Sequence, residues 1–300
     1  MRPDSPSPLV PFLVACVGIA TFSAMDVLMK GLSIELGAYN AVLWRTGTGT
    51  LVSGLAYLAM RPARPDRPTM IIHAWRALFV AGMAITFFWA LARLPMAEAI
   101  ALAFIAPLMT LYMAAIFLGE KIGPRSIAAS LLGLVGVVVI VAGKLGGGDY
   151  APEALLAVGA VFLSATFYAY NLILARKQAK MAEPMEIAFY QNLFVTLFLA
   201  LGAPWFAVFP GFGHFPAITG AAILASVSLW LLSWGYARAE AQILATTEYT
   251  GFLWAMLFGW YFYNEPVTLP TIAGALLIVV ACLIVARKTP HGDPVEPAAA

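Results

Sequence analysis

Charge is what this sequence has least of. Only 11% of its 300 residues are Asp, Glu, Lys or Arg and 62% are hydrophobic, where ordinary soluble domains carry about 25% charge. That scarcity excludes a water-soluble fold. Metal- and nucleophile-bearing patterns are scarce as well. The chain has no CxxC, no HExxH and no Walker-type glycine loop, and its three histidines, His73, His214 and His291, read as lying in or beside loops. Cys16 and Cys282 fall within apolar segments, where cysteine serves as a small packing residue. Without a dense His/Asp/Cys/Glu cluster or a sizeable soluble domain, a membrane-embedded transferase is disfavoured. Nothing points to a metal, a nucleotide or a nucleic-acid partner.

What the chain does have is apolar segments in series. A bilayer core about 30 Å thick needs about 20 mostly apolar residues per spanning helix. Breaks at charges, glycine and proline predict about ten spans, at 9–29, 38–60, 75–92, 97–118, 126–143, 153–175, 186–209, 216–237, 241–263 and 270–287. Counted from an inside N-terminus, 13 of the 17 Lys and Arg residues fall on the inner side. The outer side keeps Lys30, Arg93 and Lys144, and Arg45 lies within a span. The positive-inside rule then predicts a multi-pass protein of a bacterial inner membrane with both termini cytoplasmic.

An internal repeat organises the spans, at an offset of 145 residues. Ala20-Thr21-Phe22 matches Ala165-Thr166-Phe167, Trp89 and Arg93 match Trp234 and Arg238, and Glu120 matches Glu265. Each repeat holds five spans. Five is odd, so the second repeat enters the membrane from the opposite side. The expected fold is an all-α integral membrane protein of two inverted five-helix repeats around a central cavity. Its parts are a cytoplasmic tail at 1–8, repeats at 9–143 and 153–287, and a second cytoplasmic tail at 288–300.

Leu118-Gly119-Glu120-Lys121 before Pro124, and its counterpart Asn264-Glu265-Pro266, resemble the paired hairpins of the drug/metabolite transporter superfamily. The resemblance is to its EamA-type ten-span families, and within them to bacterial amino acid exporters, including those for aromatic amino acids. It implies a secondary transporter that exports a small molecule, with no bound cofactor, working as a monomer or homodimer amid membrane lipid. A proton is a candidate coupling ion. Exporters of nucleosides, vitamins or drugs share the pattern.

Several residues stand out as candidates for the site. Arg45 and Glu248 each lie about seven residues inside a span, roughly 10 Å deep at 1.5 Å per residue. A charge there needs a polar cavity or a partner, and their repeat mates, Tyr190 or Gln191 and Ala103, are uncharged. The substrate-binding set expected around them is Phe22, Trp44, Trp89, Phe104, Tyr168, Asn171, Gln191, Trp230, Trp234 and Tyr249, because aromatic faces stack on rings and attract ammonium groups. Arg93 and Arg238 are read either as alternating gates, near Asp26 and Glu98 outside and Glu240 inside, or as snorkelling interfacial arginines. Glu120 and Glu265 read as hairpin staples that bond backbone amides at a helix end. The small residues Ala129, Gly133, Gly136, Gly143, Gly274 and Ala281 form smooth faces for intramolecular packing or a dimer seam.

Overall fold

A computed structural model describes residues 9–60, 64–118, 124–145, 152–178, 181–236, 238 and 245–286. Glu120, Lys121 and Glu240 lie outside the described residues. The first repeat comprises α1 (Leu9–Leu36), α2 (Ala38–Ala59), α3 (Arg67–Leu91), α4 (Met96–Ala103), α5 (Ala106–Leu118) and α6 (Pro124–Leu145). The second comprises α7 (Pro152–Gln178), α8 (Pro184–Phe206), α9 (Phe215–Tyr236), a 3₁₀ turn at Ala245–Tyr249, α10 (Thr250–Tyr263) and α11 (Leu269–Ala286). Since α4 and α5 form one interrupted span, these helices make ten spans. Among the described residues, five helical segments are long and apolar enough to cross a bilayer by length and composition. In contrast, α2 carries Asn40, Arg45, Thr46, Thr48 and Thr50.

Local chemistry sets the boundaries and moves several of them. A single residue, Gly37, at φ 80°, joins α1 to α2, a conformation that favours glycine. Asn264 takes the left-handed conformation that closes α10, at φ 52°, which asparagine tolerates better than most residues. The Asp66 carboxylate accepts the Thr69 N–H at 3.0 Å and caps α3, and hydrogen bonds from Thr69 hold that carboxyl below its usual range. With Pro68 in the first turn, this cap starts the third span eight residues earlier than hydropathy predicts. His73, expected beside a loop, is therefore helical and is 1% exposed. Lys30, expected at the outer boundary, is buried because α1 runs on to Leu36.

The two repeats pack as an inverted pair. Antiparallel α1 and α9 cross where the Ser228 hydroxyl donates to the Gly18 carbonyl at 2.8 Å. At the repeat-related crossing of α7 and α3, the Ser164 hydroxyl donates to the Met83 carbonyl at 2.9 Å. Met83 is the repeat mate of Ser228, so both bonds fall at one level. The remaining pairs obey the same symmetry: α3 with α8 and α2 with α9, α5 with α7 and α10 with α1. Two helices pack on their own mates, α2 on α8 and α6 on α11. Glycine lets α6 and α11 come close, for a Cβ on Gly136 would meet the Gly274 carbonyl at 2.6 Å. The small faces of the fifth and tenth spans thus bury each other within one chain.

Contacts at the helix ends fix which loops share a face. His214 meets Glu35, Val208 N–H meets Asn40, and Arg93 approaches Glu153. Residues 35–40, 93, 153 and 207–214 therefore lie at one end. Leu9 begins at the opposite end, here called the N-terminal face, where Arg64, Met181 and Glu186 also sit. The first repeat enters from the N-terminal face and the second from the far face. The repeats are inverted.

Candidate functional site

The two interrupted spans meet at the centre. Span four breaks at Phe104 and Ile105, between α4 and α5. Span nine changes from 3₁₀ turn to α10 at Tyr249 and Thr250, which are the repeat mates of those two residues. The Phe104 and Tyr249 rings pack edge to face with centroids 5.5 Å apart. Two mates can touch only where the axis relating the halves passes between them, so both breaks lie on that axis. Irregular backbone at this depth is tolerated where it is covered by protein or lines a water-filled cavity. Glu248, expected within a continuous helix, lies instead in the 3₁₀ turn with its side chain exposed.

Around the break the structure gathers Tyr168, which interacts electrostatically with both Glu248 and Arg76. It also brings in Asn171, which accepts from Arg76 Nε at 2.8 Å. Arg45 lies elsewhere: its charged neighbour is Asp26 of α1, not Glu248. Asp26 is 1% exposed, and neither its Oδ1 nor Arg45 Nε has a hydrogen-bond partner. Asp26, expected near Arg93, is thus the counter-charge of Arg45. Their repeat mates are the uncharged Asn171 and Tyr190, and Asn171 is bonded to Arg76 in place of an ion pair with its neighbour.

Trp89 and Trp234 are symmetrical in their surroundings. Arg93 stacks on Trp89 at 3.9 Å and donates to its carbonyl at 3.0 Å. Arg238 stacks on Trp234 at 4.2 Å and donates to its carbonyl at 3.2 Å. Arg93 also lies 3.9 Å from the exposed Glu153, rather than on Asp26 or Glu98. Trp44 stands apart from the central cluster: its indole donates to the Val208 carbonyl at 2.9 Å and its ring packs on Phe209. Trp230 and Phe22 are exposed, and Gln191 is half-buried on α8. Glu265 does bond a backbone amide, that of Met96 at 2.7 Å, and also pairs with Lys30.

A model of the EamA-like transporter family matches the chain twice, at residues 10–142 and 155–287. The chain belongs to the EamA-like transporter family. It is 30% identical over 282 residues to a pseudopaline exporter of Pseudomonas aeruginosa, covering 92% of this chain and 95% of that one. A riboflavin transporter of Rhizobium johnstonii is 29% identical, covering 90% and 88%. An S-adenosylmethionine uptake transporter of Rickettsia bellii is 23% identical, covering 90% of each. A solved crystal structure shares the fold, with a TM-score of 0.62 over 93% of this chain and 98% of that one at 22% identity. This EamA protein is therefore a multi-pass membrane transporter of small molecules. Exporters and an uptake system both occur among its relatives.

Sequence reasoning missed the buried chain formed by His73, Arg76, Gln178 and Glu186, and the partnership of Asp26 with Arg45. Arg45 and Glu248 stand out in the sequence for depth within a span together with uncharged repeat mates; His73 and Arg76 satisfy the second condition, but the predicted span 75–92 puts them at or outside its edge. Their mates are Ile218 and Ala221.

Proposed function

We propose that the chain is a secondary transporter exporting amino acids or related small metabolites across a bacterial inner membrane by alternating access. Its repeats are residues 9–143 and 153–287, and its N-terminal face is cytoplasmic, as the Lys/Arg distribution favours. The observation that supports this most is the meeting of two repeat-related helix breaks at Phe104 and Tyr249 on the axis between inverted halves. Secondary transporters commonly bind substrate at such a place, because the two halves can rock about it. In this reading Arg45, which sits apart from Glu248 in this structure, takes the substrate carboxylate with two parallel hydrogen bonds as the halves rock together, exchanging Asp26 for it. Glu248 takes the ammonium, and Phe104, Tyr168 and Tyr249 hold the side chain. Trp89 with Arg93, and Trp234 with Arg238, gate the two ends.

Counterflow in proteoliposomes with a panel of amino acids, nucleosides and vitamins tests the assignment. Losing one partner of a desolvated charge pair costs about 2 kcal/mol or more, roughly 30-fold in affinity. Glu248→Gln should weaken amino acid transport to that extent and spare analogues lacking the amine. Arg45→Gln should do the same for the carboxylate. Unchanged amino acid transport in both variants removes them from the site. A second reading is transport of a vitamin or nucleoside, favoured by the riboflavin and S-adenosylmethionine transporters among the relatives. Selective counterflow of those compounds would establish it.

A further inference from the structure

A chain of side chains links three helices between the site and the N-terminal face. Arg76 on α3 donates through Nε to Asn171 and through Nη1 to Gln178 Oε1, both on α7. Gln178 Nε2 lies 2.6 Å from His73 Nδ1. His73 Nε2 lies 2.9 Å from Glu186 Oε1 on α8. Donor and acceptor inventories fix each hydrogen. A guanidinium only donates, so Gln178 must turn its oxygen to Arg76 and its NH₂ to His73. Nδ1 is then an acceptor, Nε2 carries the hydrogen, and Glu186 accepts as a carboxylate. Arg76 thereby sets the tautomer of a ring two residues away along the chain of bonds.

The scaffold has no need of this arrangement. The repeat mates of His73, Arg76, Gln178 and Glu186 are Ile218, Ala221, Ser33 and Ala41, so the equivalent place in the other half is built without it. Glu186 also lines a cleft of about 350 Å³ with Arg64, Asp66, Thr69 and Met181. That cleft gives water a route to the carboxylate beside the buried ring.

We propose that His73 is a proton-binding site of the transport cycle and that the Gln178 amide relays its protonation to Arg76. One N–H bond forms at Nδ1 as one O–H bond of a hydronium ion breaks and leaves water, and the ring gains one positive charge, which the Glu186 carboxylate faces. The Gln178 NH₂ then meets an N–H, donor against donor. Turning the amide presents its oxygen to His73, but it also presents its NH₂ to Arg76, which can only donate. Arg76 is released from Gln178, beside Asn171 and Tyr168 in the same half of the site. Among the described residues, the charged or titratable groups around the ring come from four directions. Glu186 and Tyr190 come from α8 and Glu183 from its N-cap, and the Tyr190 ring stacks on His73 at 4.9 Å. From α2 comes Tyr57, packed on Tyr190. Arg76 comes from α3, and the exposed Lys177 from α7.

The cyclic role rests on the transport reading, whereas the proton site is testable without substrate. Full-length protein labelled with ¹⁵N-histidine is placed in nanodiscs, and His214→Gln with His291→Gln leaves only the His73 signal. From about pH 9 to about pH 5, a range bracketing the ordinary histidine titration, we expect a neutral Nε2–H ring to become doubly protonated. A neutral ring protonated at Nδ1, or one that never charges, overturns the proposal. In proteoliposomes, an imposed pH gradient should raise wild-type transport of a carried amino acid. In His73→Gln, and in Gln178→Leu, which cuts the relay, the ratio of rates with and without the gradient should fall to unity. An undiminished ratio in either variant, or no stimulation of the wild type, overturns the coupling. If no amino acid is carried at all, it is the substrate reading that fails, and the NMR titration decides the proton site by itself.

Discussion

The contact between Lys30 and Glu265 ties the first span to the last hairpin, and its worth can be worked out from its surroundings. Lys30 Nζ donates to the Leu94 carbonyl at 2.6 Å and to Glu265, and lies 5.2 Å from the centre of the Tyr263 ring. The side chains are 5% and 16% exposed, so solvent screens the pair little. Glu265 also holds the Met96 amide, at the first turn of α4, and Gly259 leaves the room for it, since a Cβ there would lie 2.7 Å from Glu265 Oε2. Lys30→Met removes the ammonium and leaves a buried carboxylate with one neutral donor and the Leu94 carbonyl short of its partner. Stranding one charge of a buried pair costs about 3–5 kcal/mol. Glu265→Gln strands Lys30 in turn, although the amide oxygen can still accept from Met96. The double variant strands neither, so its cost should fall well below the sum of the singles. Reversible unfolding of the detergent-solubilised protein in SDS, followed by circular dichroism, measures the cycle. Additive losses, or singles each costing under about 1 kcal/mol as for an exposed pair, would refute the account of a buried staple.

Gly136→Leu should destabilise the crossing of α6 and α11 by about 1–3 kcal/mol or more, because the Cβ alone would meet the Gly274 carbonyl and Ile278 Cγ1 at 2.6 and 2.7 Å. Thermal unfolding in detergent reads the loss, and an unchanged midpoint would mean the helices separate without penalty. Single cysteines at position 64 and at its repeat mate 209, in a background lacking Cys16 and Cys282, should react with impermeant maleimide from opposite sides of oriented vesicles. Reaction from the same side would contradict the inverted halves.

The fold was legible because membrane insertion imposes it one span at a time. Each span must satisfy its own backbone in lipid, so long apolar runs and their charged ends show directly in hydropathy, and the constant offset of 145 residues showed the halves. The boundaries that shifted are those where a local group outweighed hydropathy. Asp66 capped α3 early, and Glu265 supplied a buried partner that let Lys30 stay within α1. The helix breaks at Phe104 and Tyr249 were passed over because hydropathy is high on either side, although Pro107, which cannot donate to the Ala103 carbonyl, and Gly251 stand just beyond them. The roles of Trp89 and Trp234 with their arginines were legible only as repeat mates four residues apart, a spacing that places one above the other on a helix.

Where repeat and function diverge, the repeat becomes the more useful guide to the site. The residues that hold the two halves together work at mated positions: the serine bonds of the α1–α9 and α7–α3 crossings and the small faces of α6 and α11. Asp26, Arg45, His73, Arg76 and Glu248 do not recur as groups charged near neutral pH, for their mates are Asn171, Tyr190, Ile218, Ala221 and Ala103. A symmetrical scaffold can rock equally to either side, and unlike polar groups on its two sides would make the two open states unequal toward a charged ligand. The far half offers an ion pair with unsatisfied atoms, Asp26 Oδ1 and Arg45 Nε. The near half offers a bonded chain that ends at an accessible carboxylate. A ligand able to complete the first and a proton able to loosen the second would bias the same two-state element, which is the minimum a coupled transporter requires.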